Sequence, residues 1–227
     1  MRTCLELVDN FSKNPQWQRN QVVLHSFWLG WASAIGEQVS KRRGIRHVTT
    51  LMGQDVLAKN RHWYRWLTEE RQTRLVVLSD FQNRMLQKNA GRFATHVIPF
   101  GVSSSEIPSS FLDFRPIDIL GVGSCIGLKN WVKWLDTLAI LLRARPHMRA
   151  TLLGDGPDRP FLQQYAEQLG LQVHFLGNLP RPQVLETMLQ SKVLLHTSNY
   201  ESQGFVLNEA AMCGCHVVAT PVGIAPE

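Results

Sequence analysis

The sequence predicts an α/β protein built from two doubly wound parallel sheets, and three observations carry that expectation. Short apolar runs of strand length alternate with segments of helical apolar spacing from about residue 21 onward, which is the pattern of successive βα units. One Ser-rich stretch, Gly101-Val-Ser-Ser-Ser-Glu-Ile-Pro-Ser-Ser110, interrupts the alternation. The chain has 227 residues and 44% apolar content, enough for one large or two small cores and too apolar for a disordered chain.

Residues 1–20 mix charged and apolar positions around the turn signal Asn14-Pro15, so a helix and a loop are expected there. Gln21-Val-Val-Leu-His25 reads as a strand, and 27–40 as a helix closed by Lys41-Arg42-Arg43-Gly44, with cations in the last turn and Gly as the stop signal. A strand over 46–51, a helix over 56–72, a strand over 75–79, a helix over 80–89 and a strand over 95–100 follow by the same periodicities. The Ser-rich stretch is then expected to link two units. That divides the chain into a first domain over 1–103, a linker over 104–115 and a second domain over 116–227.

The second series opens with a strand over 117–123 and a helix over 130–144, whose Trp131, Trp134, Leu135, Leu138 and Leu142 share one side. Strands over 150–154, 172–176, 193–197 and 216–220 alternate with helices over 159–169 and 182–190 and with one that follows Gly204 and is closed by Gly214. Five strands therefore alternate with four helices.

Composition narrows the partners. The net charge of +6 resides in residues 1–113, which carry 15 Lys and Arg against 9 Asp and Glu; residues 114–227 carry 9 of each. The basic half favours an anionic partner such as a phosphorylated substrate or a lipid head group, with Lys41-Arg42-Arg43 and Arg46 as a candidate peripheral membrane contact. Nucleic acid is not expected, because no basic helix with interleaved aromatics is present. The four cysteines, Cys4, Cys125, Cys213 and Cys215, have neither zinc nor redox spacing and read as buried thiols in a reducing cytoplasm. Met1 to Asn20 has no apolar core of a signal peptide, and no run reaches the ~18 apolar residues of a membrane span. The eight histidines have no metal-ligand spacing and there is no Asp-x-Asp pair, so no metal is expected.

In a doubly wound sheet, ligands bind beyond the carboxyl ends of the strands where the strand order reverses. An order 3-2-1-4-5 in the second series brings together the loops after its first and fourth strands, Gly123-Ser-Cys-Ile-Gly-Leu-Lys129 and Ser198 to Gly204. Lys129 suits a diphosphate as a point charge. The N–H groups of Gln203, Gly204, Phe205 and Val206 at a helix N-terminus suit a phosphate. Glu209, one turn into the helix, suits a vicinal diol, and Glu201 lies on the loop before it, so the whole reads as a nucleotide-sugar site. The pattern Gly121-x-Gly123-x-x-x-Gly127 also resembles a dinucleotide fingerprint, although the acid that should end the next strand is absent there.

Glu201-x7-Glu209 followed by Ala-Ala-Met-Cys-Gly214, with Val122-Gly123, Lys129-Asn130, Leu152-Leu-Gly-Asp-Gly156-Pro and Phe175-Leu-Gly177 upstream, resembles glycosyltransferase group 1, the retaining GT-B glycosyltransferases. Met52-Gly-Gln-Asp55, Leu78-Ser-Asp80 and Ile98-Pro-Phe-Gly101-Val resemble the later part of that family's N-terminal domain. The resemblance implies a GT-B fold of two Rossmann-like domains, the first incomplete and the second cut short before its closing helices. It implies a UDP- or GDP-sugar donor held by the second domain, an acceptor that is a glycan or lipid-linked, transfer with retention and no metal or other cofactor. Such enzymes serve polysaccharide or glycolipid synthesis, here in the cytoplasm or at the inner face of the membrane. Glu201 would contact the donor sugar near the anomeric centre, Lys129 the diphosphate, Glu209 the ribose, Leu179 the base, and Gly123, Ser202 and the amides around Gly204 the phosphates and sugar. Ser124 stands where the family usually has an arginine, and Met52 where it often has a histidine. A non-catalytic nucleotide- or sugar-binding module and, from the glycine pattern, an NAD(P)-dependent oxidoreductase are the alternatives.

Overall fold

The computed structural model describes residue 6 and residues 22–66, 73–107 and 114–227. Apart from Glu6, the expectation for residues 1–20 lies outside the described residues. The chain divides into two compact units, one within residues 1–100, to which Glu227 is assigned, and one within 101–226. Each has its own parallel sheet.

In the first unit, strands β1 (Val23–Phe27), β2 (Arg46–Thr50), β3 (Thr73–Val77) and β4 (His96–Val97) pair in chain order, all parallel. Helix α1 (Trp31–Arg43) joins β1 to β2 and ends as the sequence predicts: the Gly44 N–H donates to Ser40 O at 2.8 Å, and Lys41, Arg42 and Arg43 occupy the last turn, where the macrodipole favours cations. Helix α2 (Asp80–Ala90) starts where the Ser79 side chain accepts the Gln82 N–H at 3.0 Å. The Gln82 amide reaches back to Leu78 N–H and Leu51 O, fastening the helix to the carboxyl ends of β3 and β2.

Two expectations for this unit are corrected. The segment expected as a helix over 56–72 is, in its described part, a pair of 3₁₀ turns, Gln54–Val56 and Ala58–Trp66, separated by an extended Leu57. Side chains take the carbonyls that an α-ladder would use: Asn60 Nδ2 donates to Gln54 O at 2.7 Å and the Tyr64 hydroxyl to Asp55 O at 3.1 Å. The strand expected over 95–100 pairs only at His96–Val97, because Ile98 N–H still reaches Val77 O but Pro99 has no N–H to continue the ladder.

In the second unit, β5 (Ile117–Val122), β6 (Ala150–Leu153), β7 (Val173–Gly177), β8 (Ser191–His196) and β9 (His216–Ala219) form one parallel sheet of order β7-β6-β5-β8-β9. That is the 3-2-1-4-5 order under which the sequence argument brings the loops after β5 and β8 together. Helices α3 (Trp131–Ala144) and α4 (Arg159–Gln168) cover one face with Trp131, Trp134, Leu135, Leu138, Leu162 and Ala166 buried against Ile119 and Leu152. Helices α5 (Arg181–Leu189) and α6 (Phe205–Met212) cover the other with Leu185, Met188, Leu207 and Ala210 against Leu120, Leu153 and Leu194. Adjacent strand residues thus enter opposite cores, as the two-residue period requires. Residues 101–107 pack with this unit; Ile107 lies against the α5–α6 core.

Helix α3 lies so close to β5 that a Cβ at Gly121 would sit 2.7 Å from the Trp131 ring and 3.0 Å from that of Trp134. That packing accounts for the first glycine of the supposed dinucleotide pattern. Among the described residues, no helix is long and apolar enough to cross a membrane, and no cluster of His, Cys, Asp or Glu could hold a metal ion.

Candidate functional site

The strand order turns back between β5 and β8, and the loops that follow these two strands are laced together. Asn199 N–H donates to Leu128 O at 2.9 Å, and the Thr197 hydroxyl donates to the carbonyls of Lys129 and Asn130 at 3.2 and 3.1 Å. Lys129 ends a 3₁₀ turn, Gly127–Lys129, after which Asn130 turns the chain through φ 52° into α3.

This lacing brings the two residues given catalytic roles at the sequence level into contact: the Lys129 ammonium donates to Glu201 Oε1. The same oxygen accepts the Ser198 hydroxyl at 2.8 Å and lies 3.1 Å from His196 Nε2. A carboxylate only accepts, so Nε2 carries the histidine proton. His196 Nδ1 is then buried with no partner among the described residues. Burial works against ionisation of Glu201, yet the His196 hydrogen bond, the Lys129 charge and hydrogen bond and the Ser198 hydroxyl outweigh it and hold its pKa at about 2. The carboxylate is therefore charged at any physiological pH.

Past Glu201 the chain turns at Gly204, whose φ of 82° is left-handed and whose added Cβ would meet Leu207 at 3.1 Å. Gly204 is the N-cap of α6 and has no side chain with which to cap that end, so the first turn presents backbone N–H groups toward whatever lies before it. Gln203 and Gly204 are buried, whereas Ser202, Phe205 and Val206 are half-buried. Gln203 O accepts Ile224 N–H at 2.7 Å, which packs the segment after β9 behind this turn.

Glu209, one turn into α6, has a side chain only 8% exposed, and its Oε1 accepts from Arg181 Nη1. Arg181 also donates through Nε to Glu106 Oε2 at 2.6 Å, and its guanidinium carbon sits 5.6 Å over the Phe205 ring. Leu179, in the loop between β7 and α5, is half-buried against the α5–α6 core.

A third loop completes the floor. Gly154 has φ 142°, and a Cβ there would lie 1.9 Å from Gly123 O; Gly156 has φ 155°, and its Cβ would lie 2.5 Å from Cys125 O. The two backbones cross at hydrogen-bond distance, with Cys125 N–H on Asp155 O at 2.8 Å and Gly123 N–H on Leu153 O at 2.9 Å. Gly154-Asp-Gly156-Pro is thus the support under the Gly123–Lys129 loop. The Ser124 carbonyl accepts Trp131 Nε1 and Ile126 N–H, each at 2.9 Å.

Sequence reasoning missed His196, Ser198 and Arg181. His196 ends the apolar strand β8 and Ser198 follows it, and neither carries a spacing signal of its own. Arg181 had one: a cation in the first turn of a helix opposes the macrodipole and calls for an anion nearby.

Comparison with known proteins adds the family. The gpi3 subunit of phosphatidylinositol N-acetylglucosaminyltransferase from Schizosaccharomyces pombe is 42% identical over 84 residues, 36% of this chain and 18% of that protein. The Vi polysaccharide biosynthesis protein VipC/TviE of Salmonella typhi is 36% identical over 107 residues, 47% of this chain and 18% of that protein. The matched stretches thus span well under half of these curated relatives. Among solved structures, sucrose-phosphate synthase from Thermosynechococcus elongatus superposes with a TM-score of 0.73 at 18% identity, over 96% of this chain and 60% of that one, in keeping with a GT-B fold. Residues 105–227, more than half of the chain, match the family model of the glycosyl transferases group 1, and the chain belongs to that family.

Proposed function

We propose that this chain carries the donor site of a glycosyl transferase that moves a sugar from a nucleoside diphosphate sugar, UDP- or GDP-linked, to a glycan or lipid-linked acceptor with retention of configuration. The carrying observation is the junction of Lys129 with Glu201, beside the uncapped start of α6 and one helical turn from Glu209. These groups match the parts of such a donor: a cation and backbone N–H groups for the diphosphate, one carboxylate for the sugar and one for the ribose.

The chemistry follows from charge. As the glycosidic bond breaks, negative charge grows on the departing diphosphate, and groups fixed beforehand to meet it lower the barrier most. Lys129 and the amides of Gly204, Phe205 and Val206 are those groups, so transfer requires no divalent ion. Glu201, ionised throughout the neutral range, faces the electron-poor anomeric carbon. Its three hydrogen-bond donors hold it in one orientation.

Calorimetry of the chain with UDP, GDP, ADP and NAD tests this reading. UDP or GDP is expected to bind and NAD not to. Lys129→Ala should weaken the nucleoside diphosphate by about tenfold or more, the worth of one charge-assisted hydrogen bond. Binding of NAD with no binding of the nucleoside diphosphates would overturn it.

A further inference from the structure

Arg181 touches Glu209 directly, and the proposed chemistry leaves it without a task. It stands at the first position of α5, where the helix dipole disfavours a cation and no acidic residue occupies the first turn of its own helix. Two carboxylates from elsewhere offset this. Glu106, from the 3₁₀ turn Ser104–Glu106 that precedes β5, takes Nε, and Glu209 takes Nη1. The Phe205 ring lies under the guanidinium at 5.6 Å. Three of the group's sides are therefore fixed by Glu106, Glu209 and Phe205.

We propose that Arg181 is a positioning residue that reads the ribose through Glu209. A free glutamate on a helix rotates about three side-chain torsions, and the diol it should accept is specified only if those torsions are fixed. Arg181 occupies Oε1 and thereby orients the carboxylate, leaving Oε2 as the acceptor for sugar hydroxyls. Glu106 anchors the arginine from behind, so that it turns Glu209 without leaving its place. A direct phosphate role is disfavoured by the same contacts: one guanidinium shared by two carboxylates presents no surplus positive charge to a diphosphate. This inference rests on the nucleotide-sugar reading and on Glu209 as the ribose contact.

The test compares UDP and GDP with their 2′,3′-dideoxy counterparts by calorimetry on the full chain. The unsubstituted chain is expected to prefer the ribonucleotide by about tenfold or more, because the dideoxy form leaves a charged acceptor unpaired. Arg181→Ala should bring that ratio close to one while changing dideoxynucleotide affinity by less than about twofold, since the deoxy form never used the oriented carboxylate. Arg181→Lys should restore part of the ratio, because a lysine keeps the charge but not the planar fork. Glu106→Gln should lower it less than Arg181→Ala does. An equal loss for both nucleotides in Arg181→Ala would assign Arg181 to the phosphates or to folding and overturn the proposal. Absence of any ribose preference in the unsubstituted chain would remove Glu209 as the ribose contact and the proposal with it. Failure of both UDP and GDP to bind would sink the underlying donor reading instead.

Discussion

Lys129 and Glu201 satisfy each other in the structure, and this sets what each can do when a donor arrives. A diphosphate has to share Lys129 with a carboxylate whose own pKa is held near 2, partly by that lysine. Removing the charge at 201 therefore has two opposite effects. Glu201→Gln should bind UDP or GDP several-fold more tightly, because Lys129 no longer has a competing anion, while sugar transfer falls by about a hundredfold or more for want of the group at the anomeric carbon. Calorimetry and a transfer assay on the same variant would check both arms; weaker nucleotide binding in Glu201→Gln would show that the ion pair supports the donor site instead of competing with it. The stability of the ion pair has a definite pH window. The folded pKa of Glu201 lies below the unfolded value of 4.5, so its contribution is complete above pH 4.5 and is lost as pH falls through about 2.

At the scale of elements, the loop crossing of Gly123 and Gly154 makes a sharper prediction than any helix or strand. Gly154→Ala would put a methyl group 1.9 Å from Gly123 O at a left-handed φ of 142°. Neither backbone can yield without lifting the Lys129 loop, and the expected cost is about 3 kcal/mol or more, from strain and displaced packing together. A urea titration that finds less than about 1 kcal/mol would mean the crossing is not fixed. This feature also marks where sequence reading stops. The alternation of strands and helices in residues 117–220 is legible because each buried strand and each amphipathic helix carries its own period, whereas the strand order 3-2-1-4-5 is one of several that doubly wound sheets adopt and had to be supposed. The pairing of the β5 and β8 loops, and with it Lys129 beside Glu201, was legible only under that supposed order. What was not legible depends on contacts that no period encodes, some local and some distant in sequence: the 3₁₀ turns set by Asp55, Asn60 and Tyr64, the glycines of one loop shaped by the backbone of another, and the side chains of His196, Ser198 and Arg181 that close on the two glutamates.

At the scale of the whole molecule, the two units carry opposite kinds of buried titratable group, and acid should act on them in different windows. In the first unit His47 is fully buried on β2, with Ser26 Oγ 2.9 Å from Nε2 and Glu37 Oε2 3.7 Å from Nδ1. Burial, helped by the neighbouring His25, lowers its pKa from 6.5 to about 4, so the imidazole is neutral in the fold. The unfolded chain takes up a proton at about pH 6.5 and the folded chain does so only near 4, so stability falls as pH drops through that interval, by at most about 3 kcal/mol. Asp55 in the same unit works the other way. Burial raises its carboxyl pKa against the pull of four backbone N–H donors, and protonation at the acid end relieves the strain of its charge. The steepest loss is therefore expected between the two His47 values of 6.5 and about 4, with protonation of Asp55 offsetting part of it toward the acid end. In the second unit the Glu201 contribution is lost only below pH 4.5. Unfolding free energies from urea titrations at successive pH values should show both slopes in the unsubstituted chain. His47→Gln should be less stable at pH 7 but should lose the slope between pH 6.5 and 4, and Glu201→Gln should keep that slope and lose the one below 4.5. If His47→Gln retains the upper slope unchanged, the proton is taken up elsewhere in the chain and the buried imidazole is not the group that makes the first unit sensitive to mild acid.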